Sequence, residues 1–192
     1  PMSSLRKRIA ENLVQSQQTS ALLTTFNEID MSEVVSIRKA YRDEFEKKYD
    51  VRLGFMSFFV KACCSALFEF PEANGAIDGD EIVYNNYCNI GVAVSTERGL
   101  VVPVIKDAEY KSFAEIESQI ISFATRAKEK KITVDELTGG TFTITNGGVF
   151  GSLLSTPIPT PGQSAILGMH TIQKRPVAVG DEVEIHPMMY VA

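Results

Sequence analysis

The residues best suited to chemistry cluster between 139 and 152. There Gly139-Gly140-Thr141-Phe142-Thr143-Ile144-Thr145-Asn146 runs into Gly147-Gly148-Val149-Phe150-Gly151-Ser152. A strand that ends at Thr145-Asn146 and enters glycines lets the backbone approach a ligand closely or adopt positive φ. Such a strand presents a hydroxyl and an amide at the rim of a sheet. The stretch 146–162 is rich in Gly, Ser, Thr and Pro, and a loop of that length inside a compact domain is usually functional. A glycine-rich turn with asparagine as turn former explains the same residues, and from the residues alone both readings stand.

Other chemistries lack their residues. The sequence has no Walker A stretch, strand–GxGxxG–helix unit, HExxH or GxSxG elbow. His170 and His186 are the only histidines, and neither has a carboxylate or cysteine at a spacing that suggests a dyad or a metal site, so both are expected to be structural. Cys63, Cys64 and Cys88 match no zinc spacing and cannot form a disulfide framework. They read as small buried hydrophobes in a reducing compartment.

The elements that must hold the 139–152 segment follow from periodicity. Leu5, Ile9 and Leu13 predict an amphipathic helix over 4–17. Residues 22–29 are β-rich and predict a strand. Asp30 or Ser32 then caps a helix whose apolar positions are Val34, Ile37, Tyr41 and Phe45, with Arg38 at the stripe's margin. The helix over 55–69 is apolar nearly all round, and Ser57, Lys61, Ser65 and Glu69 form one narrow polar line. That line reads as a solvated or interface stripe. Strands around Asp78-Gly79-Asp80, then 89–94 and 100–105 flanking a hairpin at Thr96-Glu97-Arg98-Gly99, come next.

Ser112 with Glu115 forms a capping box for a helix carrying Phe113, Ile116, Ile120, Phe123 and Ala127. Thr133 with Glu136 repeats that pattern before a short helix. Strands over 141–145, 164–168 and 177–185 follow, the last turning at Gly180-Asp181. The pattern is that of one α/β domain over 1–192 with a mixed sheet.

The composition agrees. The 192 residues are 44% hydrophobic and 22% charged, enough for one sizeable core. A net charge of −5 disfavours broad nucleic-acid binding, so an anionic ligand needs a local basic pocket. No apolar run is long enough to span a bilayer, and no signal-peptide pattern is present. The chain opens directly into a helical pattern and closes on the strand-like Pro187-Met188-Met189-Tyr190-Val191-Ala192. It reads as a piece of something longer.

The 139–152 segment, Leu5-Arg6-Lys7-Arg8-Ile9-Ala10, Gly54-Phe55-Met56-Ser57-Phe58-Phe59-Val60-Lys61-Ala62, Arg98-Gly99-Leu100-Val101-Val102-Pro103-Val104 and Gln163-Ser164-Ala165-Ile166-Leu167-Gly168 together resemble one family. It is the catalytic domain of the lipoate-dependent acyltransferases of 2-oxo acid dehydrogenase complexes. Thr145-Asn146, followed by Ser155-Thr156-Pro157-Ile158, resembles the succinyltransferase branch of the 2-oxoglutarate complex, where other branches usually carry Ser-Asn.

The resemblance implies a chloramphenicol-acetyltransferase-like mixed sheet flanked by helices, here truncated at the C-terminus. It also implies homotrimers assembling into a cubic core, with active sites between subunits. The implied reaction is succinyl transfer from a lipoyl-lysine arm, carried on a separate domain, to coenzyme A. The implied partners are the decarboxylating 2-oxoglutarate dehydrogenase and dihydrolipoyl dehydrogenase, in bacterial cytoplasm or mitochondrial matrix.

By resemblance, Thr145 donates to the oxyanion of the tetrahedral intermediate, while Arg38, Ser95 and Asn146 contact coenzyme A. Some branches have Asp at the position of Ser95. The family's general base is a histidine in an Asp-His-Arg-x-x-Asp-Gly motif, a context that neither His170 nor His186 has. The 192 residues alone are therefore expected to have little or no transfer activity. Two other readings remain open at this point: a non-catalytic core or assembly protein, and a coenzyme A-dependent antibiotic O-acetyltransferase.

Overall fold

The computed structural model describes residues 1–96 and 99–192, and the side chains of all of these except residues 4 and 5. A six-stranded mixed sheet carries the fold. Its strands are β1 (Asn27–Asp30), β4 (Ile90–Val92), β7 (Val104–Ile105), β8 (Phe142–Asn146), β9 (Ile166–Val179) and β10 (Glu182–Val191), in the order β1-β10-β9-β8-β4-β7. β8 is parallel to both neighbours, and the other pairings are antiparallel. Two separate hairpins pair β2 (Gly75–Asp78) with β3 (Glu81–Tyr84) and β5 (Val94–Thr96) with β6 (Gly99–Val101).

Four helices, α1 (Ser4–Thr19), α2 (Ser32–Tyr49), α3 (Met56–Glu69) and α4 (Phe113–Lys128), accompany the sheet. Parallel neighbours need a crossover of a dozen or more residues. α4 lies within the one from β4 to β8. The one from β8 to β9 is the loop 147–165, with a single 3-10 turn at Gly148–Phe150. The topology therefore requires a long connection immediately after Thr145-Asn146.

α3 is the buried helix, with Phe59, Val60, Cys63, Cys64 and Leu67 in one core with Ile90, Ile105, Ile116, Phe123 and Ile144. Each of the Val, Leu, Ile and Phe side chains among them contributes roughly 1.5–3 kcal/mol through removal from water. α4 starts with the expected reciprocal cap: Ser112 Oγ accepts the Glu115 N–H at 3.3 Å, and Glu115 Oε2 accepts the Ser112 N–H at 2.7 Å. The start of α3 is satisfied from another helix. Glu117 Oε1, buried on α4, accepts both the Ser57 N–H at 2.9 Å and the Ser57 hydroxyl at 2.6 Å.

Ser57 is thus fully buried, and Lys61 Nζ donates to the carbonyls of Glu109 at 2.6 Å and Lys111 at 3.1 Å. This corrects the solvated-stripe reading of that line. Its first half is an internal polar seam, and only Ser65 and Glu69 are exposed.

Several boundaries differ from the periodicity. The strand expected over 22–29 is only β1. Leu22, Leu23 and Phe26 are exposed outside any strand, because β-propensity needs a pairing partner to act. α2 begins at Ser32, so the preceding residue is Met31. Asp30 nevertheless satisfies the helix start, its Oδ1 accepting the Ser32 N–H at 2.8 Å. The strands expected over 89–94 and 100–105 are each divided, giving β4, β5, β6 and β7 in two sheets. Glu97 and Arg98 of the expected hairpin turn lie outside the described residues. The short helix expected from Thr133 with Glu136 is one 3-10 turn, Asp135–Leu137. The last strands are longer than expected and form one hairpin through Gly180-Asp181, continuing into 187–191. Among the described residues, no helix is long and apolar enough to cross a membrane.

Candidate functional site

Thr145 sits one residue from the C-terminal end of β8, half-buried, beside Gly168 of β9. The C-terminal ends of parallel strands are where α/β sheets place their ligands. Two residues earlier the hydroxyl of Thr143 is engaged, donating to Gln163 Oε1 at 2.6 Å. The hydroxyl of Thr145 makes no hydrogen bond among the described residues. A strand threonine usually satisfies itself locally, so Thr145 holds a half-buried donor in reserve.

Asn146 has one end fixed. Its Oδ1 accepts the Gly148 N–H at 2.9 Å, which decides the orientation of the amide, because an N–H only donates. Nδ2 is then an oriented donor without a partner among the described residues.

The loop 147–165 is tied down along its length. The Gly147 N–H donates to Met169 O at 2.9 Å, and the Thr171 N–H to Ser152 O at 3.0 Å. Ser16 of α1, itself buried, donates to Pro159 O at 2.8 Å. Gln163 closes the end, its Nε2 donating to Gly140 O at 2.9 Å while Oε1 holds Thr143.

In the middle of the loop, exposed Ser155 meets a histidine that is 2% exposed: Ser155 Oγ and His170 Nε2 are 2.8 Å apart. His170 Nδ1 donates to the carbonyl of Tyr190 at 2.9 Å. That carbonyl belongs to an irregular stretch of the β9–β10 ladder, where the register shifts between Met189 and Val191. The imidazole leans back over Gly168, the residue opposite Thr145: a β-carbon built on Gly168 would stand 3.6 Å from His170 Cε1 and 3.0 Å from Pro157 Cγ. The Ser155–His170 pair therefore lies one strand over from the Thr145 hydroxyl, on the same side of the sheet.

The Ser155–His170 pair was not visible in the sequence, and a histidine held between a backbone carbonyl and a serine agrees with the structural reading. Its serine comes from the crossover and its carbonyl from an irregular ladder, so no spacing announces either. His186 corrects the other half of that reading. Its Nδ1 faces Asp30 Oδ2 at 2.5 Å and its Nε2 faces Glu184 Oε2 at 3.0 Å. Glu184 was detectable, since residues two apart on a strand share a face.

Arg38 and Ser95 lie on other elements. Arg38 of α2 is half-buried; its Nε donates to Leu53 O at 2.7 Å and its guanidinium stacks 4.9 Å from the centre of the Phe55 ring. Both contacts fix the fork, and its terminal nitrogens have no hydrogen-bond partner among the described residues. Ser95 of β5 is exposed, with no hydrogen-bond partner among the described residues. A separate apolar groove of about 490 Å³, lined by Ile37, Tyr41, Phe45, Leu53 and Phe113 among others, includes neither Thr145 nor Ser155.

Cysteine chemistry is disfavoured. Burial pushes the thiols of Cys63 and Cys64 up to about 12 and raises that of Cys88. All three therefore stay protonated and poorly nucleophilic at neutral pH. Among the described residues, no group of three or more His, Cys, Asp or Glu side chains could hold a metal ion.

Residues 1–192 match the model of the 2-oxoacid dehydrogenases acyltransferase (catalytic domain). The chain is 58% identical, over 192 residues, to the dihydrolipoyllysine-residue succinyltransferase component of the 2-oxoglutarate dehydrogenase complex of Haemophilus influenzae, and covers 47% of it. It thus spans about half the length of that curated relative.

The crystal structure of a probable dihydrolipoamide acetyltransferase from Listeria monocytogenes superposes with a TM-score of 0.96 at 36% identity, over all of this chain and 82% of that one. The cubic core of a pyruvate dehydrogenase multienzyme complex gives 0.96 at 32%, over all of this chain and 79% of that one. A chloramphenicol acetyltransferase shares the fold, with a TM-score of 0.52 at 16% identity, over 95% of this chain and 84% of that one. The expected fold is therefore the observed one.

Proposed function

Since the chain belongs to the 2-oxoacid dehydrogenase acyltransferase family, as its catalytic domain, we propose that it transfers a succinyl group from S-succinyl-dihydrolipoyl-lysine to coenzyme A, as the succinyltransferase of a 2-oxoglutarate dehydrogenase complex. The observation that carries this reading is the Thr145 hydroxyl, without a hydrogen bond among the described residues, lying one strand from the Ser155–His170 pair.

Attack of the coenzyme A thiolate on the succinyl thioester builds negative charge on the carbonyl oxygen. A donor already aimed at that oxygen, and engaged by nothing else, acts only as the charge develops. One such donor is worth on the order of 2.7–4 kcal/mol. Thr145 takes this role. Asn146 Nδ2, Ser95 and Arg38 take the coenzyme, with Arg38 matched to a phosphate.

Succinyl differs from acetyl by its distal carboxylate. With C–C bonds of about 1.5 Å, that group reaches on the order of 5 Å from the thioester carbon, comparable to the roughly 4.8 Å between adjacent strands. Ser155 and His170 lie one strand over from Thr145 and are polar, so they take the carboxylate.

Neither histidine stands free to take the thiol proton: His186 is held between two carboxylates, and His170 Nε2 is paired with Ser155. Residues 1–192 by themselves are accordingly expected to turn over slowly, the base being the family's Asp-His-Arg histidine. Trimers and a larger core, a lipoyl arm on a separate domain, and the two dehydrogenase partners complete the reading. Exposed Leu23, Val149, Phe150 and Leu153, several of them on the loop beside the site, support a subunit contact there.

The test is succinyl-CoA formation from succinyl-dihydrolipoamide by the full-length protein, with acetyl-dihydrolipoamide and a free hydroxyl acceptor as competitors. A clear succinyl and thiol preference supports the proposal. Equal use of acetyl, acylation of the hydroxyl, or no turnover by the full-length protein overturns it.

A further inference from the structure

The guanidinium of Arg38 is aimed by one short turn. Its Nε donates to the Leu53 carbonyl, and its plane lies over the Phe55 ring. Among the described residues it has no ion pair and no other hydrogen bond. Residues 53–55 therefore set where the terminal nitrogens point.

That turn does not hold itself. α3 begins just after it, and the N-cap residue is Phe55, which offers no side-chain acceptor to the free N–H groups of the first helical turn. The acceptor comes from α4 instead. Glu117 Oε1 takes both the N–H and the hydroxyl of Ser57, at 2.9 and 2.6 Å. A carboxylate at the positive end of a helix, accepting charge-assisted hydrogen bonds, is a strong anchor.

The other oxygen of Glu117 lies against Gly54: a β-carbon built on Gly54 would stand 2.6 Å from Glu117 Oε2 and 3.0 Å from Cδ. The Leu53 carbonyl and the Gly54 nitrogen belong to one planar peptide, so the group that holds Arg38 moves with Gly54. One buried carboxylate thus touches the turn on both sides of Phe55.

We propose that Glu117 is a positioning residue for the acyl acceptor: by fixing residues 54–57 it aims the Arg38 fork at a phosphate of coenzyme A. This rests on the reading that Arg38 takes the coenzyme. Glu117 touches neither the substrate nor the reacting atoms. A cap for α3 needs only the Ser57 contacts, whereas the close fit on Gly54 ties the carboxylate to the peptide that carries the Leu53 carbonyl. A second tie, Phe58 edge-on to Phe113 with 4.9 Å between ring centres, keeps the start of α3 against α4 when the carboxylate is removed. Substitutions at Glu117 should therefore shift the turn and leave the helix docked.

Two thiol acceptors read the effect on the assembled full-length protein, with succinyl-dihydrolipoamide as donor. Coenzyme A carries phosphates for Arg38, and pantetheine offers the same thiol without them. Arg38→Ala should lower the kcat/KM advantage of coenzyme A over pantetheine by about tenfold or more, the equivalent of one hydrogen bond between charged groups. Glu117→Ala and Gly54→Ala should each remove a large part of that advantage. KM for coenzyme A should rise, while kcat and the pantetheine constants move far less. Glu117→Gln, which keeps an acceptor oxygen, should recover most of the advantage. Glu117→Ala should add nothing once Arg38 is alanine.

Equal effects on both thiols, or full additivity with Arg38→Ala, would make the carboxylate a helix cap and overturn this inference alone. An unchanged coenzyme A advantage in Arg38→Ala overturns the coenzyme reading of Arg38 and the inference with it. Gly54→Ala removes no hydrogen-bonding group, so it decides the matter even where Glu117→Ala does not fold.

Discussion

Gly148 lies flat against the backbone of His170: a β-carbon built on Gly148 would stand 2.5 Å from both the carbonyl carbon and the carbonyl oxygen of His170. Real β-carbons do not approach so closely, and the obstructing atoms are backbone, so they cannot swing aside. This second glycine of the crossover is thus what lets the loop lie down on β9 and bring Ser155 to the imidazole. Gly148→Ala should lift this corner, with a cost typical of overpacking, about 1–3 kcal/mol. The checks are a thermal midpoint lowered by several degrees and a KM for the succinyl substrate raised more than kcat falls. Unchanged stability and kinetics would show that the loop does not depend on this contact.

The Thr145 hydroxyl is tested by its removal. Thr145→Ala should lower kcat by about 10²–10³ with little change in KM, because the donor acts on charge present only in the transition state. Thr145→Ser keeps the hydroxyl and should retain much of the rate. Steady-state kinetics on the full-length protein reads both. A loss confined to KM would assign Thr145 to substrate binding instead.

Glu117 and Ser57 make a stability prediction away from the chemistry. Glu117→Ala leaves the buried N–H and hydroxyl of Ser57 without their acceptor at the first turn of α3. A hydrogen bond to a charged group contributes about 1.5–3 kcal/mol, so urea unfolding should show a loss of at least that size. Glu117→Gln keeps an acceptor oxygen and should lose less.

His186 gives a pH prediction whose sign follows from its partners. The hydrogen bonds to Glu184 and then Asp30 raise its affinity for a proton above the ordinary histidine value, and burial opposes them. Hydrogen bonds from Ser32 and His186 lower Asp30 to about 2. The histidine contribution to stability is therefore complete below the unfolded value of about 6.5 and disappears as pH rises through the raised folded value. The Asp30 contribution is present above the ordinary carboxylate range and is lost as pH falls toward about 2. Urea midpoints should decline from pH 6 upward in wild type, and His186→Leu should remove that decline. An equal decline in both proteins would assign it to other groups.

Much of this was legible before any coordinates. The capping box at Ser112 and Glu115 and the three-four spacing of Ile116, Ile120 and Phe123 fix α4, because those signals are local and agree with one another. The apolar circumference of α3 announced its burial. The polar positions Ser57 and Lys61 were misjudged because their partners, Glu117 and two carbonyls near Glu109, come from segments about 50–60 residues on. Residues 22–26 show the converse, a β-rich run with no partner strand to make it one.

For the site, the sequence by itself determined that a strand ends at Thr145-Asn146 and that a glycine-led, charge-free loop follows, since backbone freedom and side-chain period are written in adjacent residues. Only the tertiary structure decided that Thr143 engages its hydroxyl while Thr145 makes no hydrogen bond among the described residues, and that His170 is held between the Tyr190 carbonyl and the Ser155 hydroxyl. Those states depend on which groups the parallel crossover and the shifted β9–β10 register bring within about 3 Å, a distance over which hydrogen bonds act and which no spacing along the chain encodes.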